Sequence, residues 1–432
     1  MGGQEVADGP GAGPRRDGDG ATPSLAELVR TYLKISLLGF GGPNAHLALM
    51  LDEVVERRGW ITRERFLEIV ALTNLLPGPN SSEVAIHVGY TQRGWPGALA
   101  TGLTFLVPTF VMVTALSAVY FRFGALPQVE AVFWGLQPVI VAVVLSAGWK
   151  IGRAGVKTPL QAALATLGAA VSLVSGQAVI AVMALGGLVT WWAGRDGGRA
   201  ALHARGRPPG GEPPEDAGPG TTGGGNAGMG NGPGNGPAGP ERRGAWLPIQ
   251  VALAGSALGT LGTVFLTHLW IGAVLFGGGY VLVALLEPWA VDRYGWVTGA
   301  QFLDGVALTQ AVPGPISTLS AFVGYAAGGV PGAFLGTAGI YLPAFLSVLW
   351  VAPRLERVRE VEAVRRALTG VVAGVAGAVV GVGASLVTAG VRDPWTAAIA
   401  LVALALATWR RVPALWLVAG GLVAGFVRMA VG

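Results

Sequence analysis

The chain counts 432 residues, of which 52% are hydrophobic and only 12% charged. That is about half the charged share of an average soluble domain, and it argues against a water-soluble globule. The formal net charge of +5, from 29 basic and 24 acidic residues, sits largely in loops and polar segments, so it reports membrane topology rather than nucleic-acid binding. Zero cysteines exclude disulfides, thiolate metal sites and Cys nucleophiles, and with only His46, His87, His203 and His268 as imidazoles neither a metal nor a cofactor is expected.

Residues 1–23 are mostly Gly, Pro, Ala and charge, a composition that stays disordered. No basic segment precedes a short apolar core there, so the first apolar helix is expected to direct insertion. From 24 to 194 the chain reads as one membrane unit. A helix ends at Phe40-Gly41-Gly42, a short helix and a polar loop follow, and a helix from about Thr62 runs into Pro77-Gly78-Pro79, with a further short helix to Tyr90. The pieces beside these breaks are mostly about 10 to 16 residues, marginal for a hydrocarbon core of about 30 Å and suited to re-entrant hairpins. Four longer spans follow, at about 97–120, 129–148, 159–174 and 177–193.

Residues 195–244 hold 17 Gly and 8 Pro, with Leu202 and Met229 the only large apolar side chains, and read as a flexible linker. The second unit covers 245–432. It opens with an apolar stretch, 246–262, and its later spans are expected at about 331–353, 367–388, 393–409 and 412–430.

The two units are copies. A shift of 236 places Phe40-Gly41-Gly42 on Phe276-Gly277-Gly278, Gly59-Trp60 on Gly295-Trp296 and Pro77-Gly78-Pro79 on Pro313-Gly314-Pro315, and nine of the fourteen positions in 66–79 are identical. At a shift of 235, Gly89-Tyr90 meets Gly324-Tyr325 and Pro108 meets Pro343. Duplicated membrane units interrupted by Gly and Pro at matching places are the signature of secondary transporters built from repeats.

Matched loops carry opposite charge. Arg57, Arg58, Arg63 and Arg65 face a counterpart holding only Arg293; Arg122 alone faces Arg354, Arg357, Arg359, Arg365 and Arg366. Lys150, Arg153 and Lys157 face Arg392, while no charge near Ser175 faces Arg410 and Arg411. Under the positive-inside rule the repeats are inverted, with 246–262 supplying the odd crossing and the linker in the cytoplasm. The expected fold class is therefore an all-α polytopic membrane protein of two inverted repeats, each with two broken hairpins and about four transmembrane helices.

Each Pro-Gly-Pro ends one helix and starts another. Asn80, Ser81 and Ser82, or Ser317 and Thr318, follow the break, and Gly78 and Gly314 lie within it. A helix N-terminus carries about half a positive charge, so two converging at the midplane offer about one unit toward a dianion. Asn74 and Gln310 align just before the breaks, as do Thr73 and Thr309, and are candidates to line the site. Gly41, Gly42, Gly277 and Gly278 permit close backbone approach, either to another helix or to a ligand held in a nest of amides. Lys34, Glu83 and His87 stand in apolar surroundings, Lys34 as a candidate for substrate charge or for snorkelling, Glu83 with His87 as a coupling pair or simply as partners one turn apart. Glu68 and Asp304 also align, with interfacial water as their expected environment.

The Phe40-Gly41-Gly42-Pro43 segment with His46, the Gly59-Trp60 loop, Phe66-Leu67 and Asn74-Leu75-Leu76-Pro77-Gly78-Pro79 together resemble the chromate transporter family, and the pattern returns in the second half. Two departures stand out: Gly279 replaces the proline, and Leu282 replaces His46. The resemblance covers nearly all of the chain outside the tail and linker and is to the long, two-domain members. It implies export of chromate, a tetrahedral dianion, across a prokaryotic plasma membrane, conferring chromate resistance. The partners implied are the small oxyanion and the lipid bilayer, with an oligomer compatible with both. A sulfate or other small-anion transporter, including a proton-coupled importer, is the alternative within the class. An intramembrane hydrolase using Ser81 or Ser82 with His87 is the alternative outside it, and it lacks an orienting acid.

Overall fold

The computed structural model describes residues 22–124, 126–205, 257–351 and 362–431, and every regular element among them is helical. The tail, the linker beyond residue 205, most of the 246–262 stretch and residues 352–361 lie outside the described residues. Each repeat supplies seven principal helices. The first gives α1 (Leu25–Leu38), α2 (Pro43–Met50), α3 (Arg63–Thr73), α4 (Asn80–Phe123), α5 (Pro127–Gly155), α6 (Pro159–Val174) and α7 (Val179–Arg205). The second gives α8 (Ala257–Ala273), α9 (Gly279–Glu287), α10 (Gly299–Ala311), α11 (Leu319–Leu346), α12 (Glu362–Ser385), α13 (Pro394–Thr408) and α14 (Ala414–Val431). Each helix thus has its repeat partner seven places on, and α7 continues past residue 194, where composition places the start of the linker. Thr62 and Thr298 cap α3 and α10, and Thr158 and Asp393 cap α6 and α13, each accepting a backbone N–H, so matched helices start at matched residues for one physical reason.

The short helices form re-entrant hairpins. α1 has 14 residues, about 21 Å at 1.5 Å per residue, too short to cross. Gln92 Nε2 donates to the Trp60 carbonyl at 3.0 Å, and Arg93 Nε donates to the Pro23 carbonyl at 2.7 Å. The start of α1, the loop after α2 and the Arg93-Gly94 kink of α4 therefore stand at one face. α4 folds back at that kink, its Thr101 hydroxyl donating to the Ala85 carbonyl at 2.7 Å between the two arms, and α11 has the equivalent kink at Gly328-Gly329. The chain enters with α1, turns at Phe-Gly-Gly, returns, enters again with α3, turns at Pro-Gly-Pro and returns on the first arm of α4.

The second arm of α4 then crosses. Near its far end the Tyr120 hydroxyl donates to Asp304 Oδ2 at 2.6 Å, and Phe121 stacks on Tyr325 at 5.9 Å. Asp304 lies early in α10 and Tyr325 just before the kink of α11, so the hairpins of the second repeat are based at the opposite face. The repeats are inverted, as the loop charges predict.

Helices α5–α7 and α12–α14 form a scaffold in which α12 packs on α5, α6 and α7, and α5 reciprocally on α12, α13 and α14. Small residues allow this: a Cβ on Gly370 of α12 would stand 2.0 Å from the Gly186 carbonyl of α7. The hairpins do not sit on this scaffold equally. In the second repeat α9 packs on α12, and α10 packs on α5 and α14; α3 makes no comparable contact with α12. The first repeat's hairpins instead build their own core around Tyr32, Met50, Phe66 and Phe105.

Candidate anion-binding site

The four helix breaks meet. Gly78 N–H donates to the Leu275 carbonyl at 2.8 Å and Gly314 N–H to the Gly39 carbonyl at 3.0 Å, two bonds that the 236-residue shift exchanges. Each Pro-Gly-Pro of one repeat is thereby tied to the Phe-Gly-Gly of the other. The two Pro-Gly-Pro ends are closely packed. The Thr109 hydroxyl donates to the Pro313 carbonyl at 2.9 Å, Ser317 and Tyr341 share a hydrogen bond at 2.6 Å, and Thr318 donates to the Pro315 carbonyl at 2.8 Å. A Cβ on Gly314 would meet the Thr109 hydroxyl at 1.8 Å, and one on Gly78 would meet Ala344 at 2.7 Å. Inverted copies approach most closely where their tips cross, so Thr109, Ser317, Thr318 and Tyr341 find their hydrogen-bond partners within the protein.

Several residues singled out in the sequence are consequently packed away from open space. Ser81, Ser82, Ser317 and Thr318 are buried. Ser81 lies 3.3 Å from His46 Nδ1, and His46 Nε2 lies 2.9 Å from the Gly39 carbonyl, so this imidazole braces the tip of α1. The imidazole within reach of Ser81 is thus that of His46, not that of His87 further along its own helix, and its second nitrogen meets a backbone carbonyl. Lys34 does not enter the site; its ammonium pairs with Glu53, which also receives Arg58. Glu83 is buried in the first turn of α4 and accepts from the Ser347 hydroxyl at 3.4 Å, and His87 is buried one turn further along; neither lines the cavity described below. Asp304 is not in interfacial water but buried, accepting from Tyr120 and, at 2.8 Å, from Gln137 Nε2; Glu68 does face outward, paired with Arg65.

Open space lies to one side of the tips, toward the face where the first repeat's hairpins are based. There a cavity of about 440 Å³ is bounded by Gly41, Asn74 and Asn80 of the first repeat, Gly277, Gly278 and Tyr280 of the second, and the scaffold side chains Lys150 and Arg411. The glycines take φ of 106° and 83° at Gly41 and Gly42 and of 98° and 106° at Gly277 and Gly278, and a Cβ at Gly42 or Gly278 would meet nothing within 4 Å. Positive φ, rather than close helix packing, is what requires glycine at these breaks. The amides are pinned: Thr73 donates to Asn80 Oδ1 at 3.1 Å, Asn80 Nδ2 donates to Asn74 Oδ1, and Asn74 Nδ2 donates to the Val70 carbonyl at 2.9 Å. Gln310 stands behind, donating to the Tyr280 hydroxyl at 2.6 Å.

Lys150 and Arg411 escape a reading of the sequence, where both count as loop charges. Neither makes an ion pair or a hydrogen bond among the described residues, and no carboxylate lines the cavity. Arg411 is also the only non-glycine with positive φ, 53°, among the described residues. A larger apolar groove of about 1200 Å³ between α5, α13 and α14 has its one cation matched, since Arg428 lies over Trp134 at 4.3 Å and 4.0 Å from Asp393. Among the described residues no group of His, Asp and Glu could hold a metal ion. The smaller cavity therefore offers fixed amides, flexible-φ backbone and uncompensated positive charge, a set suited to an oxyanion.

Known proteins resemble this chain in sequence. The Chromate transporter family profile matches residues 26–191 and 262–426, one match per repeat. The chain is 29% identical to the Chromate transport protein of Cupriavidus metallidurans over 94% of both chains, and 31% identical to the Chromate transport protein of Pseudomonas aeruginosa over 82% of this chain and 79% of that one. The Uncharacterized transporter YwrA of Bacillus subtilis is 36% identical over 30% of this chain but 73% of its own length, the size of about one repeat. No solved structure matches. With both repeats matched along nearly their whole length, the chain belongs to the chromate transporter family.

Proposed function

We propose that this chain exports chromate from the cytoplasm across the plasma membrane and so confers chromate resistance. The observation that carries the reading is the cavity in which two unpaired cations and no carboxylate stand beside glycine turns from both repeats. Connectivity supports the direction. α5 runs back to the face where α1 enters, and α13 ends there too, so Lys150 and Arg411 stand at the face that carries Arg57, Arg58 and Arg63. The positive-inside rule makes that face cytoplasmic, with α7 leading the linker into the cytoplasm. The anion enters from that side, its oxygens meet Asn74, Asn80 and the Phe-Gly-Gly amides, and its charge meets Lys150 and Arg411. At the other face α10 is docked on α4 and α5 through Asp304, closing the path. Release requires the two repeats to exchange arrangements, α3 docking and α10 leaving. Moving a dianion out of an inside-negative cell gains about 4.6 kcal/mol per 100 mV, so no coupling ion is needed.

Labelled chromate flux into everted membrane vesicles tests this reading. Uptake should follow an imposed interior-positive potential and fall when Asn74 and Asn80 are both replaced by Leu. Vesicles that accumulate no chromate under any imposed potential would remove the proposed activity.

A further inference from the structure

We infer that Lys150 and Arg411 set the charge selectivity of the cavity, so that it takes tetrahedral dianions in preference to monoanions of the same shape. The inference rests on the proposed oxyanion site and names what that site distinguishes. Glycine turns and asparagine amides recognise oxygen geometry whatever the total charge of the ligand. Discrimination by charge needs fixed charge, and these two side chains are the charged groups among those that line the cavity.

A purely topological role does not account for them. Arg153, Lys157 and Arg410 stand at the same helix ends, do not line the cavity and already supply the loop charge that fixes orientation. Lys150 lies within α5 rather than in a loop, and Arg411 adopts φ 53° at a position where glycine would be unstrained. Strain retained in an arginine that makes no ion pair or hydrogen bond among the described residues points to a ligand for its guanidinium. The repeat supplies an internal control. At the 235 shift Lys150 corresponds to Ser385 and Arg411 to Gly176, both uncharged, and a Cβ on Gly176 would stand 2.2 Å from Pro288. The fold therefore does not demand cations at these places: the counterparts Ser385 and Gly176 carry no charge, and Gly176 has no room for a side chain.

A dianion interacts with each cation twice as strongly as a monoanion at the same distance. With about a tenfold effect per unit charge at a water-exposed mouth, neutralising one cation should weaken a dianion about a hundredfold and a monoanion about tenfold. Calorimetric titration of the purified full chain with chromate and with perchlorate, its tetrahedral monoanionic counterpart, at alkaline pH reads this ratio without any membrane potential. The wild-type chain should prefer chromate strongly. Lys150→Gln and Arg411→Gln should each lower the chromate-to-perchlorate affinity ratio about tenfold, whereas Lys150→Arg and Arg411→Lys should keep it near the wild-type value. An unchanged ratio in both neutral variants, with chromate still bound, would overturn charge selection while leaving the oxyanion site standing. Failure of the wild-type chain to bind chromate would overturn both readings.

Discussion

Arg411 and Gly277 bound the same cavity from opposite sides of the Ramachandran rule. Gly277 holds φ 98° without cost, so Gly277→Ala should lower the unfolding free energy by at least about 1 kcal/mol and reduce chromate flux, checked by denaturation in detergent and by vesicle assay. Arg411→Gly should do the reverse for stability. Relief of the left-handed conformation, offset by glycine's freedom in the unfolded chain, should raise stability by about 0.5–1 kcal/mol while chromate binding falls. A variant that is both less stable and still a full binder would contradict the assignment of that strain to function. At this scale the sequence is legible where it repeats. Gly41, Gly42, Asn74 and Asn80 stand out because each break occurs twice. Ser81, Ser317 and Thr318 are buried, a placement the sequence does not convey, because a small polar residue after a proline break looks the same whether it faces a ligand or a neighbouring helix. Lys150 and Arg411 are hidden for the opposite reason: their repeat partners are Ser385 and Gly176, so nothing marks them among the loop charges.

Helix lengths and breaks are readable from composition, and the hairpins, kinks and long spans fall close to where apolar runs and glycines place them. Their docking is not readable, because α3 and α10 share one pattern yet only α10 sits on the scaffold. The difference traces to partners elsewhere in the chain. Asp304 finds Tyr120 and Gln137, whereas the residues that correspond to those two at the 235 shift, Leu355 and Val372, are apolar. Asp304→Ala should therefore leave two buried donors unsatisfied and cost about 2–5 kcal/mol, while Glu68→Ala, at a solvent-exposed carboxylate, should cost less than about 1 kcal/mol. Parallel thermal denaturation of the two purified variants checks the contrast, and equal losses would mean that α10 is not held by this carboxylate.

Across the whole molecule, inversion follows from loop charge in the sequence and from the meeting of Tyr120 and Phe121 with Asp304 and Tyr325 in the fold. What charge patterning cannot convey is that the tips of the repeats close on one another and leave the cavity to one side, because that depends on how tightly Thr109, Tyr341 and Ala344 fill the crossing. The most direct test is anomalous diffraction at the chromium edge from crystals of the full chain soaked in chromate, in which the absence of cysteine leaves no thiol to reduce the ion. The account predicts one chromium peak among Asn80, Gly277 and Arg411, lost in Arg411→Gln. A peak between the two Pro-Gly-Pro turns beside Tyr341, with the cavity vacant, would contradict it.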